Sequence, residues 1–334
     1  MPVVEPDPLR HHGDAEVGAG LLDFAVNVYP GPPPDWLDEA LRSSLDDIGA
    51  YPSAVGARTA VAARHQRPDD EVLVTAGAAE AFTLLARLRA WRRPVVVHPQ
   101  FTEPHAALEQ AGHRVSPVVL PAPFVLVPSL VPDDADLVIV GNPTNPSGVL
   151  HPASTIRALV RPGRLVVVDE AFMDCVPGET ESLAADRSPG VVVIRSLTKH
   201  WGIPGIRAGY LLGDPAVVTE LARGQVPWSV STTAAAAVVA CMSDVAAVEA
   251  TRRAEEINCW REHLEKGLAD LGIEFLPSQA SFVLARVGTG VRDRLRNHSI
   301  AVRRADTFPG LDGSWVRIAV RPPRTTDVLL SALT

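Results

Sequence analysis

From Glu71 to Leu212 short, wholly apolar runs alternate with longer segments of helical period. The runs are EVLVT, PVVVH, RVSPVVL, DLVIVG, RLVVVDE, VVVIRS and RAGYLL, and segments such as AAEAFTLLARLRA and TEPHAALEQAG separate them. Strands that are apolar on both sides need helices covering both sides, which is the arrangement of a parallel sheet. The pattern therefore predicts an α/β fold built on a mostly parallel seven-stranded sheet. Past Asp214 the rhythm changes to a helix near Pro215 and a long amphipathic stretch from about Ser243 to Leu271. Strand-like IEFLP, SFVLARV, IAVRR and WVRIAV follow, with a helix near Val291 to Asn297, which reads as an α+β unit. The first thirty or so residues end in the proline-rich YPGPPP and read as an arm that packs on something else. The expected organisation is an arm over 1–32, a large domain over 33–222 and a small C-terminal domain over 223–334.

Composition narrows the class of partner. The net charge is -8 with arginines scattered along the chain, so no basic stripe invites nucleic acid or an anionic membrane. Three cysteines, Cys175, Cys241 and Cys259, lack any Cys or His spacing for zinc, and neither a metal site nor a disulfide framework is expected. No apolar run reaches membrane-spanning length and the N-terminus lacks the pattern of a signal peptide, so a cytoplasmic protein is expected.

Lysine is almost absent. Only Lys199 and Lys266 occur in 334 residues, while arginine supplies nearly every other positive charge. Arginine cannot shed its proton or form an imine, whereas lysine can do both. Lys266 sits in a polar helix and reads as a surface cation. Lys199, in SLTKHWGIPGIRAGY, has neighbours that bear on chemistry.

In open α/β sheets ligands bind at the carboxyl ends of the strands. After EVLVT comes Ala76-Gly77-Ala78-Ala79-Glu80, a small-residue helix start whose N–H groups suit a phosphate, although any strand-to-helix turn can use such residues. After PVVVH comes Phe101, a rim aromatic that core packing would also explain. After DLVIV comes GNPTNPSG, whose Asn142 and Asn145 either cap turns or donate amide hydrogens to the cleft. Asp169 ends a fully apolar strand, and a buried carboxylate needs a cation that its sequence neighbours do not supply. Ser196, Thr198 and Arg207 surround Lys199 with phosphate-binding groups, and Gly202 and Gly205 are expected to let the backbone turn between them. No GxxxxGK[ST] occurs, so this is not a P-loop. One ligand answers the whole set, with a phosphate, an aromatic face, a protonated ring nitrogen and an aldehyde: pyridoxal 5'-phosphate.

These residues, above all NPTNPSG, DEAF and SLTKHWGIPGIRAGY, resemble the fold-type I pyridoxal phosphate enzymes of the class I/II aminotransferase family over nearly the whole chain. The resemblance makes Lys199 the Schiff-base lysine, Asp169 the partner of the pyridine nitrogen and Asn145 the donor to the ring's phenolic oxygen. Phe101 would stack on the ring, and Ala78, Ala79, Ser196, Thr198 and Arg207 would hold the phosphate. Tyr51 in GAYPS would reach the phosphate of a neighbouring subunit, which implies a homodimer with shared active sites. Phe172 stands where the family commonly carries a tyrosine, so that phenol is missing here. Stretches around His12-Gly13, Asp23 to Asn27 and Phe308-Pro309-Gly310-Leu311 resemble the threonine-phosphate decarboxylase branch of cobalamin biosynthesis, a relative of histidinol-phosphate aminotransferase.

By the same resemblance His12 and Asn27 would touch substrate, Arg317 would bind its carboxylate and Arg303 a phosphate. Alternation places Arg317 on the opposite side from Val316 and Ile318. A small phosphorylated amino acid or amine is the expected substrate, with decarboxylation of L-threonine O-3-phosphate placed ahead of transamination and of a non-catalytic role.

Overall fold

The computed structural model describes residues 7–334, so the first six residues of the expected arm lie outside the described residues. Strand β1 (Leu22–Phe24) precedes helices α1 (Asp35–Ser43) and α2 (Val55–Arg64). Then come β2 (Val72–Thr75), α3 (Ala78–Leu88), β3 (Pro94–His98), α4 (Glu103–Gln110), β4 (Ser116–Val119) and β5 (Leu137–Gly141). Helix α5 (Ala153–Arg157), β6 (Leu165–Asp169), β7 (Val191–Ser196) and β8 (Gly209–Gly213) complete the first sheet. Helices α6 (Pro215–Gly224), α7 (Thr232–Cys241) and α8 (Asp244–Asp270) lead to β9 (Glu274–Leu276), β10 (Phe282–Arg286) and α9 (Val291–Asn297). The chain closes with β11 (Ile300–Arg304), β12 (Trp315–Ala319) and α10 (Pro323–Leu333).

Each of the seven apolar runs is a strand of one sheet, ordered β2-β8-β7-β6-β5-β3-β4. Successive residues of its strands feed opposite cores. Val138, Val166 and Val193 pack with Leu37, Val61 and Ala237 of α1, α2 and α7, while Ile139, Val167 and Ile194 pack with Leu85, Leu108 and Leu221 of α3, α4 and α6. Each such side chain contributes roughly 1.5–3 kcal/mol by leaving water. The sheet is parallel except at β8, which runs antiparallel to both β7 and β2. No α-helix lies between β7 and β8, so the chain makes no crossover and must return in the opposite sense.

Helix α7 escapes a periodicity reading because TTAAAAVVAC is apolar on every side. It is sandwiched, with Ala234, Ala237 and Val238 buried, and starts at Ser231, whose hydroxyl accepts from the Ala234 N–H. Helix α8 starts the same way at Ser243, and Lys266 on it is an exposed cation paired with Asp270 one turn later. No single helix among the described residues is long and apolar enough to cross a membrane.

The second sheet, ordered β1-β11-β12-β10-β9, takes its edge strand from the N-terminal segment. Strand β1 pairs in parallel with β11 of its own chain, Leu22 opposite Ile300 and Phe24 opposite Val302. Phe24 is fully buried among Leu264, Leu295, Val302 and Ile318. Arg321 holds the following residues by donating to the carbonyls of Asp23 at 2.8 Å and Val26 at 2.7 Å. A partly alternating LDF triplet is too short to read as a strand without its partner, which explains the miss.

Gly148, in the turn after β5, fastens the two sheets together. Its carbonyl accepts from the Gln279 N–H at 2.8 Å, its φ is +73°, and a Cβ there would lie 2.6 Å from the Ser278 Cβ. Gly148→Ala is therefore expected to destabilise the fold by about 3 kcal/mol, from left-handed strain and overpacking together. Urea unfolding checks this, and a loss under about 0.5 kcal/mol would show that the loops yield freely.

Candidate active site

The carboxyl ends of β3, β5, β6 and β7 meet β11, β12 and the N-terminal segment around a cavity of about 420 Å³. Its walls include His12, Asn27, Ala78, Ala79, Phe101, Asn145, Asp169, Ser196, Thr198, Lys199, Arg207, Arg303 and Arg317. Every residue expected to act lies here except Tyr51, which is 78 % exposed and stacks on Trp228 at 4.4 Å elsewhere on the surface.

Strand alternation decides which acid is free. Asp169 and Glu170 are adjacent at the end of β6 and so point to opposite sides. Glu170 meets Arg195 of β7 at 3.0 Å, and Arg195, itself buried, also reaches Asp174 and Glu179. Asp169 faces the cavity and, among the described residues, accepts only from the Ala171 N–H at 3.1 Å. Burial pushes its carboxyl up to about 6, partly offset by that N–H and by the charge of Lys199. A carboxylate so placed is ready for a cation that the protein does not provide.

Lys199 follows β7 by three residues. Burial, and then the charges of Arg317 and Arg207, push its amine down to about 8. A tenth or so of it is neutral at pH 7, so it can act as nucleophile and as base. Ser196 and Thr198 lie on either side of Leu197, their hydroxyls 2.8 Å apart. Arg207 holds a left-handed backbone at φ 60°, an uncommon state for an arginine that costs on the order of 1 kcal/mol. Of the two glycines expected to relieve this turn, Gly202 does, at φ +71°, while the second left-handed residue is Arg207 itself and not Gly205. The strain lays the guanidinium over Gly77, where a Cβ would meet its Nη2 at 2.7 Å. Gly77, also left-handed, opens α3, so Ala78 and Ala79 present free N–H groups beside that guanidinium. Hydroxyls, guanidinium and helix start together make an anion site of phosphate type.

The two asparagines of GNPTNPSG part company. Asn142 is fully buried and braces the turn, donating to the carbonyls of His151 and Glu181 and accepting from the His151 N–H at 2.7 Å. It does not line the cavity, so of the two readings left open it takes the turn-bracing one. Asn145 does reach it, and its Oδ1 accepts from Arg317 Nη1 at 2.7 Å, leaving Nδ2 to donate. Phe101 lines the wall 5.6 Å from the His12 ring, and Phe172 packs edge-on against Phe282 at 4.9 Å.

At the other end stand two arginines. Arg303 of β11 and Arg317 of β12 are directly opposite each other in the antiparallel register, and both are buried. Their partners are neutral. Arg303 donates to the carbonyls of His11 and Arg304 and to Thr307 Oγ1, while Arg317 donates to Ala25 O at 2.6 Å and to Asn145. Burial pushes Arg303 down to about 10 and Arg317 down as well. Like charges facing across a strand pair repel, so this arrangement is stable with anions beside it. Both polar atoms of the Asn27 amide are buried in the same wall without a protein partner among the described residues. Glu103, whose carboxylate meets His12 Nε2 at 2.6 Å, is a wall residue that sequence reasoning missed. An acid in the first turn of a helix reads as dipole compensation, and only the His12 contact distinguishes it.

The residues fit pyridoxal phosphate. An uncompensated buried aspartate, a low-pKa lysine, a phosphate-type site and an aromatic wall converge on a space of suitable size.

Comparison with known proteins agrees. The model of the family "Aminotransferase class I and II" matches residues 19–333. A Mycobacterium tuberculosis protein named histidinol-phosphate aminotransferase is 48% identical, covering 94% of this chain and 87% of its own length. The threonine-phosphate decarboxylase of Salmonella typhimurium is 32% identical, covering 94% and 90%. Among solved structures, the histidinol-phosphate aminotransferase from Clostridium acetobutylicum superimposes with a TM-score of 0.87 at 25% identity, covering 94% and 98%. The chain belongs to the class I and II aminotransferases, enzymes of fold type I that work with pyridoxal 5'-phosphate.

Proposed function

We propose that this enzyme decarboxylates a phosphorylated amino acid, with L-threonine O-3-phosphate as the substrate. The observation that carries the reading is the facing pair Arg303 and Arg317, buried with neutral partners only. One substrate bearing a carboxylate and a phosphate satisfies both guanidiniums at once. Arg317, next to Asn145 and Lys199, takes the carboxylate; Arg303, near His12, takes the phosphate. Asn27 supplies further hydrogen bonds to the substrate from its unpartnered amide.

When bound, pyridoxal phosphate supplies an electron sink conjugated to the substrate α-carbon. Asp169 would hold the proton on the ring nitrogen, and Asn145 Nδ2 would donate to the phenolic oxygen. Phe101 would pack on the ring, while Ser196, Thr198, Arg207 and the N–H groups of Ala78 and Ala79 would hold the phosphate. Arg317 would orient the substrate carboxylate for loss. The bond from the carboxylate to the α-carbon breaks, carbon dioxide leaves, and Lys199 Nζ delivers a proton to the α-carbon.

Transamination of the histidinol-phosphate type is the second reading, favoured by the relative at 48% identity that carries that name. There an amino-acid donor and a phosphorylated amine would use the arginines in turn, and Lys199 would remove the α-proton. The two readings separate in one assay of the holoenzyme. We expect carbon dioxide from L-threonine O-3-phosphate and no keto-acid turnover with histidinol phosphate plus 2-oxoglutarate; the reverse outcome replaces the first reading with the second.

The working unit is a homodimer. Tyr51 and Trp228 are stacked yet 78 % and 60 % exposed, near other exposed apolar side chains such as Ile48 and Val55 on the same stretch of chain. Such a patch is what a subunit contact covers, and it would carry Tyr51 toward the partner's phosphate site.

A further inference from the structure

We infer that Glu103 is a positioning residue that sets substrate choice by holding His12 as an imidazolium aimed at the phosphate end of the pocket. The inference rests on the proposed phosphorylated substrate and deepens it.

The N-terminal segment crosses the pocket mouth between the two sheets. Thr102 Oγ1 donates to Leu9 O at 2.5 Å, Arg10 Nη2 donates to Gln110 Oε1 at 3.1 Å, and Arg303 donates to His11 O. His12 is thus held between α4 on one side and β11 on the other. Its Nε2 meets the Glu103 carboxylate at 2.6 Å, a short, charge-assisted contact. Its ring leans on Phe101, and Nδ1 has no protein partner among the described residues. The contact holds the Glu103 carboxyl below the usual carboxylate range.

A helix-capping role alone does not account for this contact. An acid at the start of α4 would be stabilising in any rotamer pointing back at the helix N-terminus, yet this one is committed to a histidine 91 residues away. The other charges around His12 act in both senses. Its own segment carries Arg10, His11 and Asp14; across the pocket stand Arg303, Arg317 and Lys199. Those cations crowd His12 from one side, and the Glu103 carboxylate is the acid in contact with its ring. With Arg303, a protonated His12 gives the phosphate two charged donors, and an unphosphorylated side chain gains nothing from either.

The test uses steady-state kinetics of the holoenzyme with paired substrates, L-threonine O-3-phosphate against L-threonine, or histidinol phosphate against histidinol if transamination is the reaction. In Glu103→Gln the amide oxygen still accepts from His12 but no longer favours its charge. At pH 8 we expect KM for the phosphorylated substrate to rise roughly tenfold, with kcat within about threefold. The loss on the unphosphorylated partner should be at least roughly fivefold smaller. Glu103→Asp should recover part of the preference, and visible absorbance should show the cofactor still bound. Equal losses on both substrates would overturn the inference while leaving the functional reading intact. A wild-type enzyme with no preference for phosphorylated substrates would overturn both.

Discussion

Turnover falls by roughly 10⁴-fold or more in Lys199→Ala, and Lys199→Arg fares no better. Both variants keep the sheet ends intact, but neither has an amine that can lose its proton at the centre of the pocket. Burial with Arg317 and Arg207 brings the Lys199 amine to about 8. Because the folded state lowers this constant, the neutral amine accumulates as pH rises. The rate at which the apoprotein takes up pyridoxal phosphate should therefore climb about tenfold per unit below pH 8 and level off above it. Stopped-flow absorbance measures that rate. A flat profile from pH 6 to 9, or a Lys199→Arg enzyme with near-normal turnover, would remove Lys199 from its assigned role.

Asp169→Asn has opposite effects on the empty and the loaded protein. Burial raises Asp169 from 3.8 to about 6, so the folded chain binds this proton more tightly than the unfolded chain. The carboxyl is then neutral and harmless below about pH 4, and its burden on the fold grows as pH rises through 6. At about 1.4 kcal/mol per unit, the cost at pH 8 is about 3 kcal/mol. Stripped of cofactor, Asp169→Asn should be more stable than wild type by that order at pH 8, with the gap closing near pH 4. With pyridoxal phosphate present the order should invert, because the asparagine cannot keep the ring nitrogen protonated, and turnover should drop roughly 10²- to 10³-fold. Urea unfolding at the two pH values, with and without cofactor, checks both halves. Equal stability of the two apoproteins at pH 8 would mean that Asp169 is solvated or paired after all.

The inner strands of the large sheet were legible because they are apolar on both sides, and a run such as LVVVD has no other comfortable place. The constellation was legible because residues at strand ends converge by topology, whatever their separation in sequence. Asn142 was left open for a related reason. It shares the composition of Asn145, and only the turn's own hydrogen bonds show that one amide is consumed inside it. Glu103 was invisible because its partner lies in a segment with no periodicity at all, and β1 because a three-residue strand exists only once its neighbour does. The sense of β8 and the left-handed turn at Arg207 depend on backbone geometry that residue types barely constrain.

The pairing of β1 with β11 imposes an order in time. As the chain emerges from the ribosome, its N-terminal strand has no mate until the residues near Ile300 have been made, and the bond from Arg303 to His11 closes a loop of 292 residues. The seven strands of the first sheet can assemble earlier from nearer neighbours, whereas the mouth of the pocket, with His12 and Asn27, waits for the far end of the polypeptide. Until then Phe24 lacks Val302, its partner across the strand pair. The last portion of the molecule to become native is thus the portion proposed to choose the substrate, and a chain stalled late in translation would carry the lysine site without that choice.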